Sequence, residues 1–158
     1  MIRRIGVLAF IAFLTLTLFL YRREERRRLK EQRALLRLLI HIRDALATAP
    51  LPLNEIYADF HDDSLARTGF LCVLTQRGLA AALDARLLHL SEEELSPFKE
   101  YAAALGTRPY AEEKKKTEEL CRLAAVTLAR HEESAPARIK LVGTLFFSGG
   151  VLLLLLLL

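Results

Sequence analysis

Tryptophan is missing from this chain, methionine occurs once and cysteine twice, and only seven glycines and five prolines punctuate its 158 residues. Each shortage excludes something. Two cysteines, Cys72 and Cys121, with no C-x-x-C pairing, make no disulfide framework and are expected as buried free thiols of a reducing compartment. No glycine-rich loop followed by Lys-Ser or Lys-Thr is present to cradle a phosphate. The histidines His41, His61, His89 and His131 are scattered, none in an H-E-x-x-H or H-x-x-E-H arrangement, so the spacing asks for neither metal nor cofactor. "HDD" at His61 to Asp63 reads as a helix-capping junction rather than a ligand cluster. With no internal repeat and so few helix breakers, the chain is expected to be all-α.

What the chain does have is apolar residues gathered at its two ends, within an overall 53% hydrophobic content. Ile5 to Leu20 carries no charge, and about 16 helical residues reach roughly 24 Å. Leu141 to Leu158 is also uncharged and reaches about 27 Å. Both read as membrane helices. No small-x-small cleavage site follows Leu20, and a dense arginine cluster there opposes export, which favours an anchor over a signal peptide. Leucine on every side of the last two turns leaves no polar face for water, and such a tail can insert without translocating a polar segment. The expected division is therefore 1–21 as an N-terminal transmembrane helix, 22–140 as a cytosolic helical domain with a basic juxtamembrane collar, and 141–158 as a C-terminal transmembrane helix. Arg22, Arg23, Arg26, Arg27, Arg28, Lys30 and Arg33 behind the first span, with Arg138 and Lys140 before the second, place the middle in the cytosol.

The formal net charge of +4 is local to that collar. From Leu39 to Ala137 acidic residues outnumber basic ones, so a nucleic-acid surface is not expected, and the collar is expected to meet anionic lipid headgroups in the bilayer.

Within the middle, the first helix is expected to continue from Tyr21 through "RREERRRLKEQRALLRLLIHIRDALA", with Glu24 and Arg28 an i,i+4 pair and Leu36, Leu39, Ile40 and Ile42 opening an apolar face. Thr48 to Pro52 should end it. Leu53, Ile56, Tyr57 and Phe60 share one stripe of a short helix. Asp63 or Ser64 should cap the next, carrying Leu65, Phe70, Leu71 and Leu74 and interrupted at Gly78, with a short piece from Leu79 to Leu88 after it. In "LSPFKEYAAALG" Ser96 is expected to cap, Pro97 to open and Gly106 to close a helix, while Ser91 and Glu94 form a capping box. Pro109 should open the last segment, where "EEKKKTEE" reads as a solvated face, Leu120, Leu123, Ala124, Thr127 and Leu128 as a stripe, and Pro136 as a kink or break.

No constellation in the sequence supports catalysis, and a non-enzymatic protein is expected. The acidic residues Glu92, Glu93, Glu94 and Glu100 are the expected partner-binding patch. Gly143, Thr144, Ser148 and Gly149 give the last helix a small-residue side suited to packing against another membrane helix. A structural spacer holding membrane partners apart is the alternative, and a small hydrolase built on His61 to Asp63 a more distant one.

The order of parts is itself informative: end helix, basic collar, the turn "APLPLNEIYADF", a helical middle, "FKEYAAALG", a long helix and a leucine-rich end. It resembles the stage III sporulation protein AB family of endospore-forming bacteria. Phe98, Leu105 and Gly106 match that family's motif, whereas Pro109 and Glu113 stand where its members carry Asp and Gln. The resemblance implies a non-enzymatic subunit of the channel complex between mother cell and forespore, in the outer forespore membrane with its helical domain in the mother-cell cytosol. That domain is similar to those of inner-membrane platform proteins of type II secretion. The implied partners are a companion ATPase resembling secretion ATPases and other membrane subunits of the channel.

Overall fold

Punctuation by proline and glycine decides where this chain turns, and it yields six helices among the described residues with no strand. The computed structural model describes the backbone of residues 2–48 and 51–157 and the side chains of 10–48 and 51–150. In chain order the helices are α1 (Ile2–Thr48), α2 (Leu53–Asp59), α3 (Asp63–Arg67), α4 (Phe70–Asp84), α5 (Glu92–Ala104) and α6 (Tyr110–Leu157). They fall into two compact units, one of Arg28–Ala129 and one of Met1–Arg27 with Arg130–Leu158.

The 28–129 unit is built on the inner face of α1, where Ala34, Leu35, Leu38, Leu39, Ile42 and Leu46 are buried. These recur at three- and four-residue intervals, the period of one helix face. Leu36 and Ile40 are only half-buried, so the face is centred one position earlier than expected, on Leu35 and Leu38. The same core cluster takes in Ile56, Tyr57 and Phe60 from α2 and its end, Leu65 of α3, Phe70, Leu74, Leu79 and Leu83 of α4, Leu95 and Tyr101 of α5, and Leu120 and Cys121 of α6. Each such leucine or phenylalanine taken from water contributes about 1.5–3 kcal/mol.

Several boundaries differ from the sequence expectation. The α3 cap is Asp62, not Asp63 or Ser64: its carboxylate accepts from the Ser64 and Leu65 amides at 2.9 and 3.2 Å. The helix expected to run from Leu65 to Gly78 is divided at Gly69, whose φ of 79° ends α3 and starts α4. Gly78, at φ 83° and ψ 177°, does interrupt α4, and the chain resumes its helix to Asp84. Ser96 and Pro97 do not start α5; Ser91 does, five residues earlier, because its hydroxyl and Glu94 complete the capping box. Pro97 lies inside the helix, at the second turn, where its absent donor and ring are tolerated at the loss of one bond.

Gly106 closes α5 with a φ of 84°. Pro109 directly precedes α6, and its carbonyl accepts from the Glu112 and Glu113 amides at 3.0 Å. Pro136 does not break α6, which continues through it. Leu123 and Val126 are exposed on α6, whereas Glu113 and Thr117, read as part of a solvated run, are buried. Of the two free thiols Cys121 is buried as expected and Cys72 is exposed, since it sits on the outer side of α4. Ala49 and Pro50 of the expected α1 terminator lie outside the described residues.

The other unit pairs the two ends. A methyl group built on Gly150 would meet Leu14 Cδ1 at 2.6 Å and Phe10 Cε1 at 3.6 Å, and one on Gly143 would meet Leu18 Cδ1 at 3.8 Å. Moving up α6 from Gly143 to Gly150 thus moves down α1 from Leu18 to Phe10, so the segments are antiparallel. Gly150, not Gly149, makes the close approach; nothing lies within 4 Å of a Cβ at Gly149. Thr144 and Ser148 are exposed and bond their own helix, to the carbonyls of Lys140 and Leu145. Among the described residues no helix is long and apolar enough to cross a membrane. The side chains of 1–9 and 151–158, which belong to the expected spans 1–21 and 141–158, lie outside those described.

Candidate functional site

The N-terminus of α5 carries three consecutive glutamates, Glu92, Glu93 and Glu94, and its geometry follows from one of them. Glu94 is the third residue of the helix, where its side chain can reach back to the cap. Its Oε2 accepts from the Ser91 amide and hydroxyl, both at 2.8 Å. Arg28 of α1 donates its Nε to both carboxylate oxygens at 3.1 Å and its Nη2 to Oε2 at 2.6 Å. Gln32, one turn further along α1, donates to Oε1 at 2.6 Å. Burial alone would push the Glu94 carboxyl up, but the Arg28 and Ser91 bonds outweigh it and hold the group below the usual carboxylate range.

This arrangement divides the four expected partner-binding glutamates. Glu94 is committed to the clasp and only 12% of its side chain is exposed. Glu92 accepts from Lys99 at 2.6 Å, and Lys99 also reaches Asp84 at 3.2 Å. Glu93 and Glu100 are exposed and have no ion-pair partner among the described residues. The structure thus leaves two outward carboxylates on a helix whose start is pinned to α1.

A second buried carboxylate on α1 works beside it. Glu31 is 2% exposed and accepts from the His89 amide at 2.6 Å and lies 3.1 Å from His89 Nδ1, fixing the segment between α4 and α5. At the far end of α5, Phe98 and Leu105 are half-buried against the core. The Gly106 amide donates to Glu113 Oε2 at 3.2 Å, and a Cβ there would stand 3.3 Å from Leu53 Cδ1. Glu113 Oε1 is buried with no hydrogen-bond partner among the described residues. Thr117 donates to the Glu113 carbonyl at 2.8 Å and shares a 2.7 Å bond with the Tyr101 hydroxyl. Burial pushes the Tyr101 phenol up to about 12, so it stays protonated.

The remaining candidates do not converge. Asp62 caps α3 and accepts from Arg37 Nε at 2.9 Å, while His61 Nδ1 lies 3.1 Å from the Asp59 carbonyl, so "HDD" is the capping junction it resembles. His41 bonds the Ile56 carbonyl at 3.0 Å and packs on Phe60. Burial pushes the Cys121 thiol up, away from thiolate. No group of three or more His, Cys, Asp or Glu that could hold a metal ion occurs among the described residues.

Sequence reasoning located Glu92 to Glu94 and the Ser91 box but missed Arg28, Gln32, Glu31 and His89. A signal existed: Glu31 lies four residues before Leu35 and so on the apolar stripe, where a carboxylate needs a partner. Glu113 and Thr117 occupy the same stripe of α6 as Leu120 and Cys121.

The family model described as stage III sporulation protein AB matches residues 3–158. No curated protein and no solved structure matches the chain.

Proposed function

Since this chain belongs to the stage III sporulation protein AB family, with the role in stage III of sporulation that membership implies, we propose that it is a membrane-anchored helical adaptor. Its 28–129 unit docks a companion hexameric ATPase of the secretion type, and its ends hold that contact at the channel between mother cell and forespore. The observation that carries the reading is the α5 ledge. Glu93 and Glu100 project from a helix held to α1 by four hydrogen bonds from Arg28 and Gln32 to Glu94, a carboxylate that the Ser91 amide also fixes in place. A rigid pair of outward carboxylates suits a partner with a basic face, giving fast, salt-dependent association.

Membrane anchoring through 1–21 and 141–158, outer forespore location and a cytosolic 28–129 unit complete the proposal. Supporting it is the exposure of Phe13, Leu16, Phe19 and Leu20 on α1 and of Leu141, Leu145 and Phe147 on α6. Uncharged sequence extends both runs, to Ile5 and to Leu158. So large an apolar surface is not left facing water in a stable protein.

A photocrosslinking residue placed at Glu93 in sporulating cells tests the adaptor role. The expected adduct is with the ATPase; adducts confined to other membrane subunits would contradict ATPase docking.

A further inference from the structure

Resting on the anchoring read above, we infer that the basic residues of both ends form a single cation ring that selects anionic phospholipid headgroups. In sequence they are two clusters more than 100 residues apart; in the unit of 1–27 and 130–158 they are brought to one level.

The register shows this. Gly143 of α6 stands opposite Leu18 of α1, and the segments are antiparallel. With a rise of about 1.5 Å per residue on each helix, three residues back on α6 reach Lys140 as three forward on α1 reach Tyr21. Two more steps bring Arg138 level with Arg23. Arg22, Arg23, Arg26, Arg138 and Lys140 are all exposed. They border the apolar band on both helices, following Leu20 on α1 and preceding Leu141 on α6, each 52% or more exposed. Across 21–27 and 136–141 six cations face two carboxylates, Glu24 and Glu25.

Arginine suits this position. Its long stem lies along apolar surface while the guanidinium reaches water, and its planar fork donates two hydrogen bonds to one phosphate. An anionic lipid such as phosphatidylglycerol leaves that phosphate charge uncompensated, whereas the ammonium of a zwitterionic lipid cancels it. The adjoining apolar band argues for lipid over nucleic acid, because a nucleic-acid surface has no use for exposed phenylalanine and leucine beside its cations.

The test is lipid selectivity of the full chain reconstituted in phosphatidylcholine vesicles, read by spin-labelled phosphatidylglycerol against spin-labelled phosphatidylcholine. At low salt the anionic probe should be preferred, with about five-fold at most for each cation engaged, and the preference should shrink at high salt. R22Q/R23Q/R26Q and R138Q/K140Q should each lower it, and the combined variant should bring the ratio to about one. Equal association of the two probes with the inserted wild-type chain would overturn the ring and leave anchoring intact. An effect of the α1 set with none of the α6 set would overturn the single-ring geometry. A chain washed from vesicles by alkaline carbonate would overturn anchoring itself. Tight binding of a single-stranded oligonucleotide that anionic vesicles do not displace would assign the cations to nucleic acid instead.

Discussion

Removing the Glu94 carboxylate should unfasten α5 from α1. Glu94→Ala deletes the reciprocal half of the capping box, for which cap losses are about 0.5–2 kcal/mol, and the charged bonds from Arg28 and Gln32. Hydrogen bonds to charged groups contribute about 1.5–3 kcal/mol each in favourable cases. The Arg28 side chain is a third exposed, which limits the cost of losing its bonds to Glu94. The loss should therefore be about 2–3 kcal/mol in all. Glu94→Gln keeps a capping-box side chain and should lose about half as much. In a double-mutant cycle with Arg28→Ala, the coupling should be about 1–2 kcal/mol. Urea denaturation of a fragment spanning 22–129, followed by circular dichroism, reads these values. The sign with pH is also fixed. The folded Glu94 carboxyl lies below its ordinary value of 4.5, so its stabilisation is present above that pH and fades as pH falls through the depressed value. Wild type and Glu94→Gln should converge at strongly acid pH. Zero coupling at neutral pH, or a gap that widens on acidification, would refute the clasp.

Three further outcomes follow from particular residues. Gly106→Ala should cost about 1–2 kcal/mol, since it forces a side chain to a φ of 84° and crowds Leu53, and the same denaturation assay measures it. Glu113→Gln should change stability by no more than about 1 kcal/mol, because its amide oxygen keeps an acceptor for the Gly106 amide while its NH2 replaces an oxygen that is itself buried without a partner among the described residues, whereas Glu113→Ala, which loses that acceptor, should cost more. In the native protein a maleimide should modify Cys72 within the time that leaves Cys121 untouched, and denaturant should make both react; equal native rates would contradict the burial of Cys121.

How much of this was written locally can be argued from α2 and α5. Leu53, Ile56, Tyr57 and Phe60 share a 3.6-residue stripe, and Pro52 fixes where it begins, so α2 needed no tertiary information. Ser91 and Glu94 likewise announce their box three residues apart. Pro97 misled because proline most often opens a helix, yet the box five residues upstream and the packing of Leu95 outweigh one lost bond. The clasp itself joins residues 66 positions apart, a distance over which neither periodicity nor capping rules act. Gly69 divides α3 from α4 through a positive φ, which the sequence shows only as one glycine after a threonine. Pro136 was expected to kink or break α6; the helix does not break but continues through it, with Ala135 buried beside it.

The adaptor role stands or falls on a titration of the full chain, in mild detergent, with the companion ATPase at low and moderate salt. A saturable complex that weakens with salt, and weakens again by at least ten-fold in the Glu93→Lys/Glu100→Lys variant, is the predicted result. No complex from the folded chain, or an affinity indifferent to both charge reversals, would contradict it.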